Sequence, residues 1–225
     1  MGQQVRPLET TADQTLALLR AGQLAGIRRL NLAAGLTTFP EEIVELADSL
    51  EVLDLSNNGL TALPDSFAQL QNLRVLFLSH NAFEVLPEVL GHCPQLAMIG
   101  FKANRIATVP AAALPPRTRW LILTDNRIET LPESMGDLPH LQKLMLAGNR
   151  LHTLPATMAA CQNLELIRLA ANQLESLPPW LLTLPRLSWL AYAGNPFSSR
   201  HAPSAPLPQV PWPDLALGDV LGQGA

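Results

Sequence analysis

Apolar residues return along this chain at a fixed long interval. Leu50, Leu53, Leu55, Leu60 and Leu63 are set between polar or variable residues, and the same spacing restarts at Leu73, Leu96, Thr118, Leu141, Leu164 and Leu187. The steps between starts are 23, 23, 22, 23, 23 and 23 residues. An imperfect copy begins at Ile27, with Leu30 and Leu32; it has Gly35 where the others have Asn, and it reaches Phe39-Pro40 one residue early. That makes eight units, the last incomplete. A constant period of this length marks a stacked array, in which each unit buries its apolar face only against its neighbours.

Each column has a physical task. Leu53 and Leu55 alternate with variable residues, which predicts a short strand with one buried face, and stacked strands would form a parallel sheet. Leu60, Leu63, Phe67 and Leu70 are expected to fill the rest of the coil. The Asn column is Asn58, Asn81, Asn104, Asn126, Asn149, Asn172 and Asn195. A carboxamide both donates and accepts, so a buried column can satisfy backbone groups where the chain leaves the strand. The Pro column is Pro64, Pro87, Pro110, Pro132, Pro155 and Pro178. Its fixed φ predicts extended chain or short 3-10 turns on the outer face rather than α-helix. Before the array, Thr11 with Gln14, followed by Leu16, Leu18 and Leu19, reads as a capping box opening a short helix that stops near Gly22 and covers the first coil.

These columns resemble the leucine-rich-repeat family, in its subtype with a Leu-Pro pair after the Asn, over residues 27–199. The resemblance implies an α/β fold: a right-handed, curved solenoid with short parallel strands on its concave face. It also implies protein or peptide recognition rather than catalysis. The chain then divides into an N-terminal extension and capping helix (1–26), the solenoid (27–199), a Pro-rich linker or C-terminal cap (200–217) and a short Gly-rich end (218–225).

Composition and charge narrow the partners. Hydrophobic residues are 48% of the chain and charged ones 15%, enough apolar surface for a core and unlike a disordered chain. The net charge of −4 gives no basic footprint for nucleic acid. No apolar run reaches the ~18–20 residues of a membrane span. Residues 1–10 lack an apolar signal core, Arg6 breaks the pattern of a myristoylation site, and there is no Asn-x-Ser/Thr sequon. The expectation is a soluble cytoplasmic protein without a membrane partner, with a secreted effector left open and the oligomeric state unspecified.

Candidate chemistry is sparse. Cys93 and Cys161 each take the slot that Leu70, Leu138 and Leu184 fill elsewhere, so they are expected to be small buried hydrophobes. Three coils at ~4.8 Å each put them beyond the ~7 Å reach of a disulfide. The five histidines fall at different repeat positions, without a metal-ligand spacing. No catalytic constellation and no metal site is expected. Within residues 198–217, Pro203–Pro206 and Pro208–Pro211 form PxxP spacings; the segment reads as an extended linker, with Trp212 free to fold back as a lid.

Leu215 to Ala225 resembles the opening strand and glycine-rich loop of a protein kinase, with Gly222-x-Gly224 as its first two glycines. The third glycine, the strand lysine and the catalytic and metal-binding aspartates are not in the sequence. The resemblance implies nucleotide contact by Gly222 and Gly224, with ATP and magnesium as cofactors, only in a kinase parent; these 225 residues are expected to need no cofactor and not to be an enzyme. A chance Gly-rich tail, a free-standing scaffold, the targeting domain of a ligase or GTPase, and a lipid- or glycan-binding solenoid are the other readings.

The expected site is the concave face. The column before the middle Leu reads Arg29, Val52, Val75, Met98, Trp120, Lys143, Leu166 and Trp189. The column after it reads Asn31, Asp54, Phe77, Gly100, Ile122, Met145, Arg168 and Ala191. Strand alternation points both columns outward. Val75, Phe77, Met98, Trp120, Ile122, Met145, Leu166 and Trp189 are expected to form an apolar stripe for a partner, with Arg74, Lys102, Arg119, Lys143 and Arg168 at its rim. The alternatives are that the 198–217 tail, a missing domain or a dimer mate covers that stripe.

Overall fold

The computed structural model describes residues 11–199. It has a short α-helix, α1 (Ala12–Arg20), then eight three-residue strands alternating with seven 3-10 turns. The strands are β1 (Arg29–Asn31), β2 (Val52–Asp54), β3 (Val75–Phe77), β4 (Met98–Gly100), β5 (Trp120–Ile122), β6 (Lys143–Met145), β7 (Leu166–Arg168) and β8 (Trp189–Ala191), with a last helical turn, α2 (Pro196–Ser199). All eight pair in parallel in chain order. This is the solenoid that the period predicts.

The capping box of α1 forms as expected. Thr11 accepts from the Gln14 amide while Gln14 accepts from the Thr11 amide, and the helix stops at Ala21 before Gly22 at φ +66°. Leu19 packs into the common core, so the helix closes the first coil.

Each 3-10 turn follows directly on a proline: Pro40, Pro64, Pro87, Pro110, Pro132, Pro155 and Pro178 precede the seven turns. The ring holds φ where a tight turn starts, and the missing N–H is one that a helix start leaves unpaired anyway. The 22-residue step has a local cause. Its turn is cut to Ala111–Ala113, and Thr118 replaces the leucine at the next unit's start. Thr118 is fully buried, and its hydroxyl donates to the Pro115 carbonyl at 2.7 Å.

The interior is one continuous cluster from Leu19 to Leu184, including Leu53, Leu55, Leu60, Phe67 and Leu70. Leu63 departs from expectation: it is only half-buried and packs against the rim of that cluster. Cys93 and Cys161 are free and buried, as the leucine slot requires. Burial pushes the Cys93 thiol up to about 12. Burial, with a smaller contribution from the charge of Asp137, pushes Cys161 up to about 11. A raised thiol pKa favours the folded state below the ordinary thiol pKa of ~8.5, and that contribution is lost as pH climbs from there toward the folded values. Native chain at mildly alkaline pH should leave both thiols unreactive to a chromogenic disulfide, and unfolding should release two. The melting temperature should also fall as pH rises above about 9.

Candidate functional site

The strand register fixes what the outer face of the sheet displays. Val75, Met98, Trp120, Lys143, Leu166 and Trp189 pair in sequence across β3 to β8, and so do Phe77, Gly100, Ile122, Met145, Arg168 and Ala191. Both outward columns therefore stand side by side over six coils.

Their side chains are not equally free. Val75, Phe77, Met98, Trp120, Ile122, Met145 and Leu166 are half-buried, each standing about 4.8 Å from its counterpart on the next strand. Gly100 is buried: a Cβ there would lie 2.6 Å from the Phe77 ring, so that ring fills the gap the glycine leaves. The Lys143 ammonium sits 3.9 Å from the centroid of the Trp120 ring, a cation–π contact that covers one ring face. Trp189 at the last strand is the freest of the stripe, 56% exposed. The result is a tiled apolar band with aromatic edges. Arg168 is exposed within it.

The expected basic rim divides between two sides. Lys102 follows β4 and stands exposed where the chain leaves the strands. Arg74 and Arg119 precede β3 and β5 on the entry side. There they line a groove of about 650 Å³ with Gln95, Ala97, Arg117, His140, Gln142 and Asn163. All of this set lies outside the strand columns, in the segment that leads into each strand, and strand alternation gives no signal for it.

The asparagine column is structural. The Asn149 amide donates to the Leu123 and Leu146 carbonyls at 2.9 Å each, and its oxygen accepts from the Ile128 N–H at 3.0 Å. Asn58, Asn81, Asn104, Asn126, Asn172 and Asn195 each donate in the same way to two leucine-column carbonyls or their equivalents, one of them in the preceding coil. In the irregular first coil, Asn58 accepts from both Ala34 and Leu36 around Gly35. The residue before each ladder asparagine is left-handed, with φ from +53° to +77°. Asn57, Gly148 and Gly194 suit that conformation, but Ala103 and Ala171 do not, so sequence alone did not mark the position.

Among the described residues, no three His, Cys, Asp or Glu side chains gather as a metal site, and no helix is long and apolar enough to cross a membrane. Gly222, Gly224 and the 200–217 segment lie outside the described residues.

Comparison with known proteins gives three findings. A family model described as leucine rich repeat matches residues 48–106, 116–174 and 139–197. A rice protein (Oryza sativa subsp. japonica) named plant intracellular Ras-group-related LRR protein 8 is 32% identical over 113 residues, 50% of this chain and 25% of the rice protein. The chain thus spans about a quarter of that relative's length. A solved leucine-rich-repeat protein of Leptospira interrogans superposes with a TM-score of 0.64 at 27% identity, over 79% of this chain and 51% of that one.

Proposed function

Because this chain belongs to the leucine-rich-repeat family, a family of generally non-catalytic, protein-binding domains, we propose that it recognises a protein or peptide through the outer, concave face of its sheet. The observation that carries this reading is the apolar band over β3 to β8. Val75, Phe77, Met98, Trp120, Ile122, Met145, Leu166 and Trp189 bring hydrophobic and aromatic surface to a face that the interior does not need. Interface hot spots are rich in Trp, and Met and other aromatics are enriched at interface centres. Arg168, Lys143, Lys102 and Arg119 add charge at its borders and favour a partner with apolar anchors beside acidic groups.

Trp120→Ala should weaken capture of such a partner by ~2 kcal/mol, about thirtyfold in Kd, with little change in melting temperature. Phe77→Ala should weaken it as well, but with some loss of stability, since the Phe77 ring also covers Gly100. Titration calorimetry checks the first effect and thermal melting the second. Unchanged affinity in both variants would move the site off this face.

The Gly222-x-Gly224 run favours a finer reading: a cytoplasmic recognition or regulatory region preceding a kinase domain. A strand lysine and an H-R-D-like loop following in the parent gene, with phosphotransfer by the parent, would support it; a parent without them would remove it.

A further inference from the structure

We propose that the entry-side groove between coils three and six is a second recognition element, which takes a short acidic segment of the protein partner. The inference rests on the concave-face reading and deepens it by stating the chemistry of the partner.

The groove has an unusual electrostatic make-up for a chain of net charge −4. Its lining holds the guanidinium groups of Arg74, Arg117 and Arg119, together with His140, and no carboxylate. Among the described residues, none of the three arginines has an ion-pair partner; the ion pairs are Arg20–Glu42, Arg28–Glu51 and Arg150–Glu129. Two of the three are instead positioned by neutral groups. Arg117 donates to the Gln95 carboxamide oxygen at 2.9 Å, and Arg119 to that of Gln142 at 3.1 Å. An amide acceptor orients a guanidinium without cancelling its charge, and the remaining donors of the fork stay open for a carboxylate. Ala97, on the coil between Arg74 and Arg119, contributes only a methyl group, which opens the space between them.

The spacing favours several separated anionic points over one. Arg74 precedes β3, and Arg117 and Arg119 both precede β5; Arg117 leans back to Gln95, ahead of β4, and Arg119 leans forward to Gln142, ahead of β6. At ~4.8 Å per coil, two coil steps separate Arg74 from Arg119, so the charges are spread over ~10 Å, and toward ~14 Å as Arg119 leans to Gln142. That is about three to four residues of extended chain, so an extended segment with acids at alternate positions matches it, and a single phosphate does not. Glu51 stands in the same column one coil before Arg74, and Glu165 two coils after Arg119, just beyond Gln142. Glu51 is held by Arg28 at 2.6 Å. The acidic stretch of the partner is therefore short, with uncharged or basic flanks.

The test is fluorescence anisotropy on the 225-residue chain. The probe is a labelled peptide with three Glu at alternate positions, and its three-Gln counterpart is the control. The Glu peptide should bind, more weakly as salt rises, because exposed charge pairs are screened within about 10 Å at 0.1 M salt. Arg74→Gln, Arg117→Gln and Arg119→Gln should each weaken binding about three- to tenfold, and the triple variant should abolish it. Arg127→Gln and Arg150→Gln, exposed cations outside the groove, should change it less than twofold. All five positions are exposed, and a thermal melt confirms folding; the single variants decide the matter if the triple one does not fold. Equal binding of the Gln peptide, equal loss with Arg127→Gln, or full competition by inorganic phosphate at matched ionic strength would each overturn the proposal. Those results leave the concave-face reading standing, because that reading is tested through the apolar Trp120 side chain, which adjoins Arg74 and Arg119 on the strand side but offers the Glu peptide no charge.

Discussion

Replacing Asn149 by Ala should destabilise the fold by about 2–4 kcal/mol, since one buried amide is orphaned and a cavity remains. The Ile128 N–H loses its only acceptor, the Asn149 oxygen. The Leu123 and Leu146 carbonyls lose less, because the ladder overlaps. Leu123 also accepts from Asn126, and Leu146 also accepts from Asn172, each at 2.9–3.0 Å. This overlap makes a sharper prediction. In Asn149→Ala with Asn172→Ala, the Leu146 carbonyl has no donor left, so the pair should cost more than the sum of its parts. Asn149 and Asn195 share no carbonyl, and their double variant should be additive to within about 0.5 kcal/mol. Urea titrations of the singles and both doubles measure this; additivity in the adjacent pair would refute the shared-carbonyl account.

Leu146→Ala should cost about 2–5 kcal/mol. Leu146 is fully buried, and it sits in coil six with a packed coil on either side. Its neighbours are held by the β-ladder and the asparagine bonds, so they cannot collapse into the space. Leu30→Ala in the first coil should cost less, because α1 covers that end and can adjust, whereas a central coil interrupts nearest-neighbour stacking in both directions. Chemical denaturation compares the two; equal losses would mean that the end coil is as rigidly set as the centre.

How much of this the sequence discloses depends on whether a property belongs to the period. Strand positions, the buried leucines, the asparagine and proline columns and the two outward columns all repeat, so one register settles them together. Properties made by contact between coils do not repeat. Phe77 is half-buried because its neighbour in the next coil is Gly100, and Trp120 because its neighbour is Lys143. Pairing the columns across coils, rather than reading each along the chain, would have shown both. The groove was invisible for a related reason. Arg117 and His140 sit in turns before the strands, where alternation assigns no direction, and only hydrogen bonds across coils to Gln95 and Gln142 reveal how the arginines are aimed.

Recognition through the outer face of the sheet, as proposed above, predicts which positions touch the partner. The buried native thiols allow it to be tested by placing single cysteines, since Cys93 and Cys161 should stay silent to labelling. A photo-crosslinking maleimide would be attached at Met98, Ile122, Met145 or Leu166 on the outer face, and at Ala112, Glu133 or Ala156 on the 3-10 side. Crosslinks to one and the same partner from the first set, with none from the second, is the predicted result. Adducts to that partner from the 3-10 side, with none from the strand face, would contradict the account.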